Sequence, residues 1–242
     1  MPKLMTMQLA AQKPKMVEKK QVPVRKSQAE RTANSDSKMY EAAKQLICES
    51  GTHNTTLKDV GERAGFSRGL ASSRFGSKEG LFSNLVANFN EKWVEELARF
   101  VGGRTGLSAY IAALDAVEDF LLNEATDMKA MYILWYESIS SHSELRGHLA
   151  QHHAVYRRDA ERWIREGIAT GVIRSNVDPA AIAVQFCSFI FGTIYQWLVA
   201  PEAIDVRYSF NQYKQLILET MSERRPAGAG GDFNSHLLDE NK

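Results

Sequence analysis

Three residues able to cap a helix, Thr56, Ser67 and Ser77, stand ten or eleven positions apart, which leaves room between them only for short helices joined by tight turns. Thr56-Leu57-Lys58-Asp59 reads as a capping box, in which hydroxyl and carboxylate satisfy free backbone N–H groups, so a second helix is expected over 57–64. Ala64-Gly65-Phe66-Ser67 then turns the chain: Gly65 takes positive φ, and Ser67 caps a third helix over 68–75. Val60, Ala64, Phe66 and Ala71 supply a small shared core. Gly61 lies within the second helix at a cost of about 0.5–1 kcal/mol against alanine, a cost that makes sense where the third helix crosses too closely for a side chain.

The rest of the chain repeats the helical theme. A first helix is expected over 36–50, with Met39, Ala43, Leu46 and Ile47 at helical spacing and Gly51 as its stop. Ser77 opens a long fourth helix with Leu81, Phe82, Leu85, Val86, Phe89, Trp93 and Leu97 on one side, ended by Gly102-Gly103. Further helices are expected at roughly 107–123, 126–139, 143–170, 179–199 and 206–222, and no alternating strand pattern is sustained anywhere. The fold class is therefore all-α: a three-helix N-terminal domain over 35–81, and a larger helical bundle over 82–222. Residues 1–34, basic and aperiodic, read as a disordered arm, and 223–242, with Gly228, Gly230 and Gly231, as a disordered tail.

Charge separates the two domains. Residues 1–80 hold 15 Lys and Arg against 8 Asp and Glu, and the remainder 15 against 21. A basic end suits a polyanion. Cys48 and Cys187 lie far apart within apolar helical patterns, so neither a disulfide framework nor a thiolate metal site is indicated, and a reducing cytoplasmic location is expected. The N-terminus has no apolar run fit for a signal peptide.

The third helix keeps a polar face, Arg68, Ser72, Ser73 and Arg74, able to enter a DNA major groove. Here the chain resembles the tetracycline-repressor (TetR) family: Thr55-Thr56-Leu-Lys-Asp-Val-Gly-Glu-Arg-Ala64-Gly65-Phe66-Ser67-Arg-Gly69, then Phe75-Gly-Ser77-Lys78-Glu79, match its N-terminal signature. The resemblance implies that the third helix reads operator DNA, with Arg68 and Ser73 as base readers and Thr56 and Lys78 as phosphate contacts. Ser67, Ser72 and Arg74 complete the expected DNA-binding set. Ser72 and Arg74 replace a tyrosine and a histidine found in many members, so Arg74 takes over part of a missing tyrosine–phosphate contact. The resemblance also implies a variable ligand-binding and dimerisation bundle.

Between Pro179 and Pro201 there is no charged residue, and apolar side chains surround the helix. Such a helix must be buried on every side. A membrane span is disfavoured by Gln185, Ser188, Thr193 and Gln196 within it, and by Asp178 and Glu202 at its ends without a Lys or Arg belt. The alternative is a helix shared between its own bundle and a second subunit, joined by the last helix in a four-helix interface containing Val184, Phe191, Ile194, Trp197, Phe210, Tyr213 and Ile217. A twofold dimer fits successive major grooves when its reading helices stand about 34–36 Å apart. The partners expected are thus duplex operator DNA, a second copy of the chain and a small-molecule inducer, with no membrane.

Aromatic residues concentrate in the bundle. Trp93, Phe120, Tyr132, Trp135, Tyr136, Tyr156, Phe186 and Phe189 are candidates for lining a cavity for an apolar or aromatic ligand, with Trp163 beside them, and most such residues are expected simply to pack together. Glu144, His148 and His152 share a helical face, with His142 and His153 close by, which would suit a metal-responsive regulator; the surrounding Ser, Gln and Arg favour a solvated face, and no metal or cofactor is assigned. A helical-bundle enzyme is the other alternative, but paired Glu-x-x-His motifs, a phosphate-cradling glycine loop and a strand-borne nucleophile elbow do not occur. The expected function is that of a repressor released from a palindromic operator by its inducer.

Overall fold

A computed structural model describes residues 27–140 and 144–223. Among them the regular structure is helical: α1 (Gln28–Asn54), α2 (Leu57–Arg63), α3 (Arg68–Phe75), α4 (Lys78–Val101), α5 (Gly106–Asn123), α6 (Ala125–Ser138), α7 (Glu144–Ala169), α8 (Pro179–Val199) and α9 (Val206–Met221). The sole β-type pairing among the described residues is an isolated bridge between Ile173 and Ser222, which ties the loop after α7 to the end of α9.

The first helix starts eight residues before its expected beginning. Ser27 caps it and Glu30 returns the bond to the Ser27 N–H, a full capping box that removes residues 28–34 from the expected disordered arm. Residues 1–26 and the expected tail from 224 onward lie outside the described residues. Gly51 bends α1 with φ of 77° where a stop was expected, and one further turn follows. Ser67 and Ser77 accept from the N–H groups of Leu70 and Gly80 as caps, and Asp178 and Asp205 do the same for α8 and α9. Every later boundary falls within two residues of expectation, and most are written locally in a cap, a glycine or a proline, although α6 has none of these at either end.

The N-terminal unit packs Val60, Ala71 and Phe75 against α1, with the Tyr40 and Phe75 rings 5.8 Å apart. α4 leaves this unit and enters the bundle, where it packs on α5 and α7. α6 lies between the two parts and runs against α1. At that junction the buried Lys44 of α1 is ion-paired with the buried Asp127 of α6, which also accepts from Lys92 of α4 at 2.9 Å. Burial disfavours the Lys92 charge, yet the hydrogen bond and negative charge of Asp127 outweigh it and raise the lysine's pKa. A second link joins the Thr52 hydroxyl to the Glu137 carboxylate. Three helices from both parts are thus fastened at one buried carboxylate.

Candidate functional site

The first site is the outer surface of α2 and α3. Thr56 accepts from the Asp59 N–H at 3.2 Å and donates its own proton to the Asp59 carboxylate at 2.7 Å. The expected box is therefore closed side chain to side chain. Gly65 sits at φ 79°. The close crossing expected at Gly61 is present: a Cβ there would lie 2.9 Å from the Ser67 carbonyl oxygen. That contact locks the start of α3 against α2 and fixes its angle.

On α3 the division of faces is clear. Ala71 and Phe75 are buried, whereas Arg68, Ser73 and Arg74 are exposed and Ser72 is half-buried. Ser67 is held as the cap. Arg74 is tied by its Nε to Asp36 of α1 at 2.8 Å, so it braces the unit from the side and is less available for a phosphate than expected. Lys78 donates to the His53 carbonyl at 2.8 Å, at the end of α1 and just before Thr56. Lys78, one expected phosphate contact, is thereby tied to the segment that leads into Thr56, the other.

The second site is a chamber of about 60 Å³ within the bundle. Its walls come from α4 (Phe89, Trp93, Leu97), α5 (Ala113, Val117), α6 (Met128, Tyr132, Trp135), α7 (Tyr156, Asp159, Trp163) and α8 (Phe186, Cys187, Ile190, Phe191, Ile194). Five of the eight expected ligand residues line it: Trp93, Tyr132, Trp135, Tyr156 and Phe186, with Trp163 beside them. The other three do not. Phe120 stands behind the wall, edge-on to Phe89 and Trp93. Phe189 stacks on Tyr213 at 3.8 Å between α8 and α9, and Tyr136 is largely exposed beside Tyr195.

The dimer residues expected from sequence divide in the same way. Phe191 and Ile194 line the chamber. Phe210 and Ile217 are buried within the subunit, where the α9 face meets α5, and Tyr213 bonds the Tyr110 hydroxyl at 3.2 Å. All five contribute to the subunit's own packing. Val184 remains exposed and Trp197 half-buried. Nor is α8 buried on every side in the subunit: Val184, Ser188, Tyr195, Gln196 and Val199 form an exposed stripe without a charge. α8 is the one helix among the described residues long and apolar enough to cross a membrane, and only a third of it is buried.

Burial shapes the chamber's chemistry. It raises the pKa of Tyr132 and Tyr156, pushes the Cys187 thiol up to about 11, and lowers His153, just outside the wall, to about 4. All four are neutral at physiological pH. Tyr132 donates to the Phe191 carbonyl at 3.3 Å, while the indole N–H groups of Trp135 and Trp163 are buried without a partner. A cleft of about 320 Å³ that shares Tyr132, Trp135 and Phe191 with the chamber is lined also by Tyr136, His153 and Arg146, so Tyr136 lines this cleft in place of the chamber. Glu144 and His148 approach to 3.9 Å, but no three His, Cys, Asp or Glu side chains gather for a metal among the described residues. His142 lies outside them.

Sequence reasoning missed Asp159, although it shares a helical face with Tyr156 and Trp163 at spacings of three and four. It also missed the Lys44–Asp127 pair, for which separation in sequence leaves no local signal.

Residues 40–85 match the family described as bacterial regulatory proteins, tetR family. Over 166 residues the chain is 24% identical to the HTH-type transcriptional regulator YfiR of Bacillus subtilis, covering 69% of this chain and 81% of that one. It is 23% identical over 194 residues to the HTH-type transcriptional regulator AcrR of Shigella flexneri, covering 75% and 86%. The fold superposes on a transcriptional regulator from Saccharomonospora viridis in complex with choline, with a TM-score of 0.69, 19% identity, and 79% and 100% of the two chains covered.

Proposed function

We propose, from the premise that this chain is a transcriptional regulator of the tetR family, that it is a ligand-released repressor: a cytoplasmic homodimer that holds a palindromic operator until an apolar or aromatic molecule enters the bundle. Its work is recognition, as in its regulator relatives, and not catalysis. Arg68 and Ser73 read base edges, Thr56 and Lys78 hold phosphate, and Arg74 shares itself between Asp36 and the DNA backbone.

The observation that carries this reading is the double engagement of α4 and α6. Phe89 and Trp93 of α4 line the chamber, and the same helix begins three residues after α3 ends. Met128, Tyr132 and Trp135 of α6 line it too, while Asp127 on the same helix grips Lys44 of α1. The chamber, at about 60 Å³, is far smaller than the ~300–1,000 Å³ of most small-molecule sites, so a ligand has to push these helices apart. Moving them re-aims the reading helices, and release follows in proportion to the ligand's preference for the widened state. The uncharged outer stripe of α8 is where a second subunit closes the twofold pair, with Val184 and Trp197 in the seam.

The test is direct. Sedimentation should give a dimer, and the dimer should retard DNA from the region upstream of its own gene at low ionic strength, with affinity falling as salt rises. A strictly monomeric protein, indifferent to that DNA, would sink the reading.

A further inference from the structure

Asp159 is out of place in the chamber. Every other lining residue is apolar, aromatic, or a tyrosine or cysteine held neutral, and no Lys, Arg or His is among them. A carboxylate against such a wall loses hydration and needs a positive partner to recover it. The subunit supplies that partner poorly. The nearest cation, Arg162, is 3.7 Å away, beyond hydrogen-bond reach, while it bonds Glu166 at 3.0 Å and lies over the Trp163 ring at 5.6 Å. Asp159 stays about a quarter exposed, so its oxygens are open to a ligand.

The aromatic groups around it point the same way. Tyr156 and Trp163 flank Asp159 on one face of α7, and the Trp93 ring meets Tyr156 edge to face at 6.4 Å. Aromatic faces are electron-rich and attract ammonium groups, most strongly when water is excluded. An anionic ligand would meet Asp159 with no lining cation to offset it, and a neutral one would leave the carboxylate unpaired.

We infer that the chamber selects hydrophobic monocations, alkyl- or arylammonium compounds whose charged head lies between Asp159 and the rings of Trp93, Tyr156 and Trp163 while the apolar body packs against Phe186 and Ile190. The inference rests on the reading of this chamber as the ligand site, and it adds the sign of the charge. In the competing account Asp159 is only a surface partner of Arg162, and its charge is irrelevant to what the chamber holds.

Three probes of equal chain length separate these accounts: decyltrimethylammonium, 1-decanol and decanoate, titrated into the full chain by calorimetry and by fluorescence of the chamber tryptophans. The cation should bind about tenfold more tightly than the alcohol, and decanoate most weakly. Asp159→Asn, isosteric and at a position about a quarter exposed, should cost the cation about tenfold and leave decanol within about twofold, whereas Asp159→Glu should keep much of the preference. Equal affinity for cation and alcohol, or an equal loss of both in Asp159→Asn, overturns the charge assignment. Binding of none of the three overturns the chamber as a ligand site altogether, which is a different result from binding without head-group preference.

Discussion

In the N-terminal unit the residues proposed to meet DNA point outward from α3 into water, whereas in the bundle those proposed to meet a ligand point inward from five helices and are surrounded by one another. Arg68 and Ser73 need only a rigid platform, which Gly61, Gly65 and the caps Thr56 and Ser67 provide within a dozen residues. Trp93, Tyr132, Tyr156 and Phe186 need the whole tertiary fold before they meet. The difference is one of range: surface recognition is assembled from neighbours in sequence, and a chamber from neighbours in space. It follows that damage on the outer face of the N-terminal unit should stay local, while damage at the junction of the two regions should reach both functions.

The largest effect should come where the two regions join. Asp127→Asn leaves Lys44 buried with only Glu41, itself largely exposed, as a charged partner, at a cost of about 3–5 kcal/mol. By calorimetry the wild type should melt in a single transition, which the variant should lower or split in two. An unchanged transition would mean that this ion pair does not unite the regions.

Next comes the chamber wall. Trp135→Ala removes a ring packed on Phe89, Tyr132 and Phe191 and should cost about 3 kcal/mol of stability. Release of DNA by decyltrimethylammonium should be blunted while DNA affinity without ligand changes little. Equal loss of both would point to collapse of the core.

On the outer face, Arg68→Ala should weaken specific DNA binding by about 1–3 kcal/mol and leave the melting temperature and dimer unaltered. Unchanged affinity at matched salt would remove Arg68 from the reading set.

The smallest effect is a pH slope. Burial lowers His153 to about 4, and to a lesser extent lowers His152, so between about pH 6.5 and 4 the unfolded chain binds protons that the folded one refuses. Stability contributed by neutral His153 is present above this window and lost as pH falls through it. His153→Phe should flatten the fall in melting temperature across that range relative to wild type; parallel curves would show that His153 is not protonated on unfolding there.

The sequence by itself determined the helices, their ends from α2 onward to within two residues, and the polar outer face of α3, because caps, turn glycines and the faces of a two-turn helix act over three or four residues. It also determined that the bundle would be rich in aromatic side chains. Only the tertiary structure decided which of them enclose space: Phe120 and Phe189 have the same helical spacing as Trp93 and Phe186, yet pack behind the wall or toward α9. Likewise only the fold turned Phe191 and Ile194 inward, tied Arg74 to Asp36, and placed Asp127 against Lys44 from 83 residues away. The physical reason is that apolar burial has no direction of its own. A helical pattern states which face is hidden, and the crossing of neighbouring helices settles what it is hidden against.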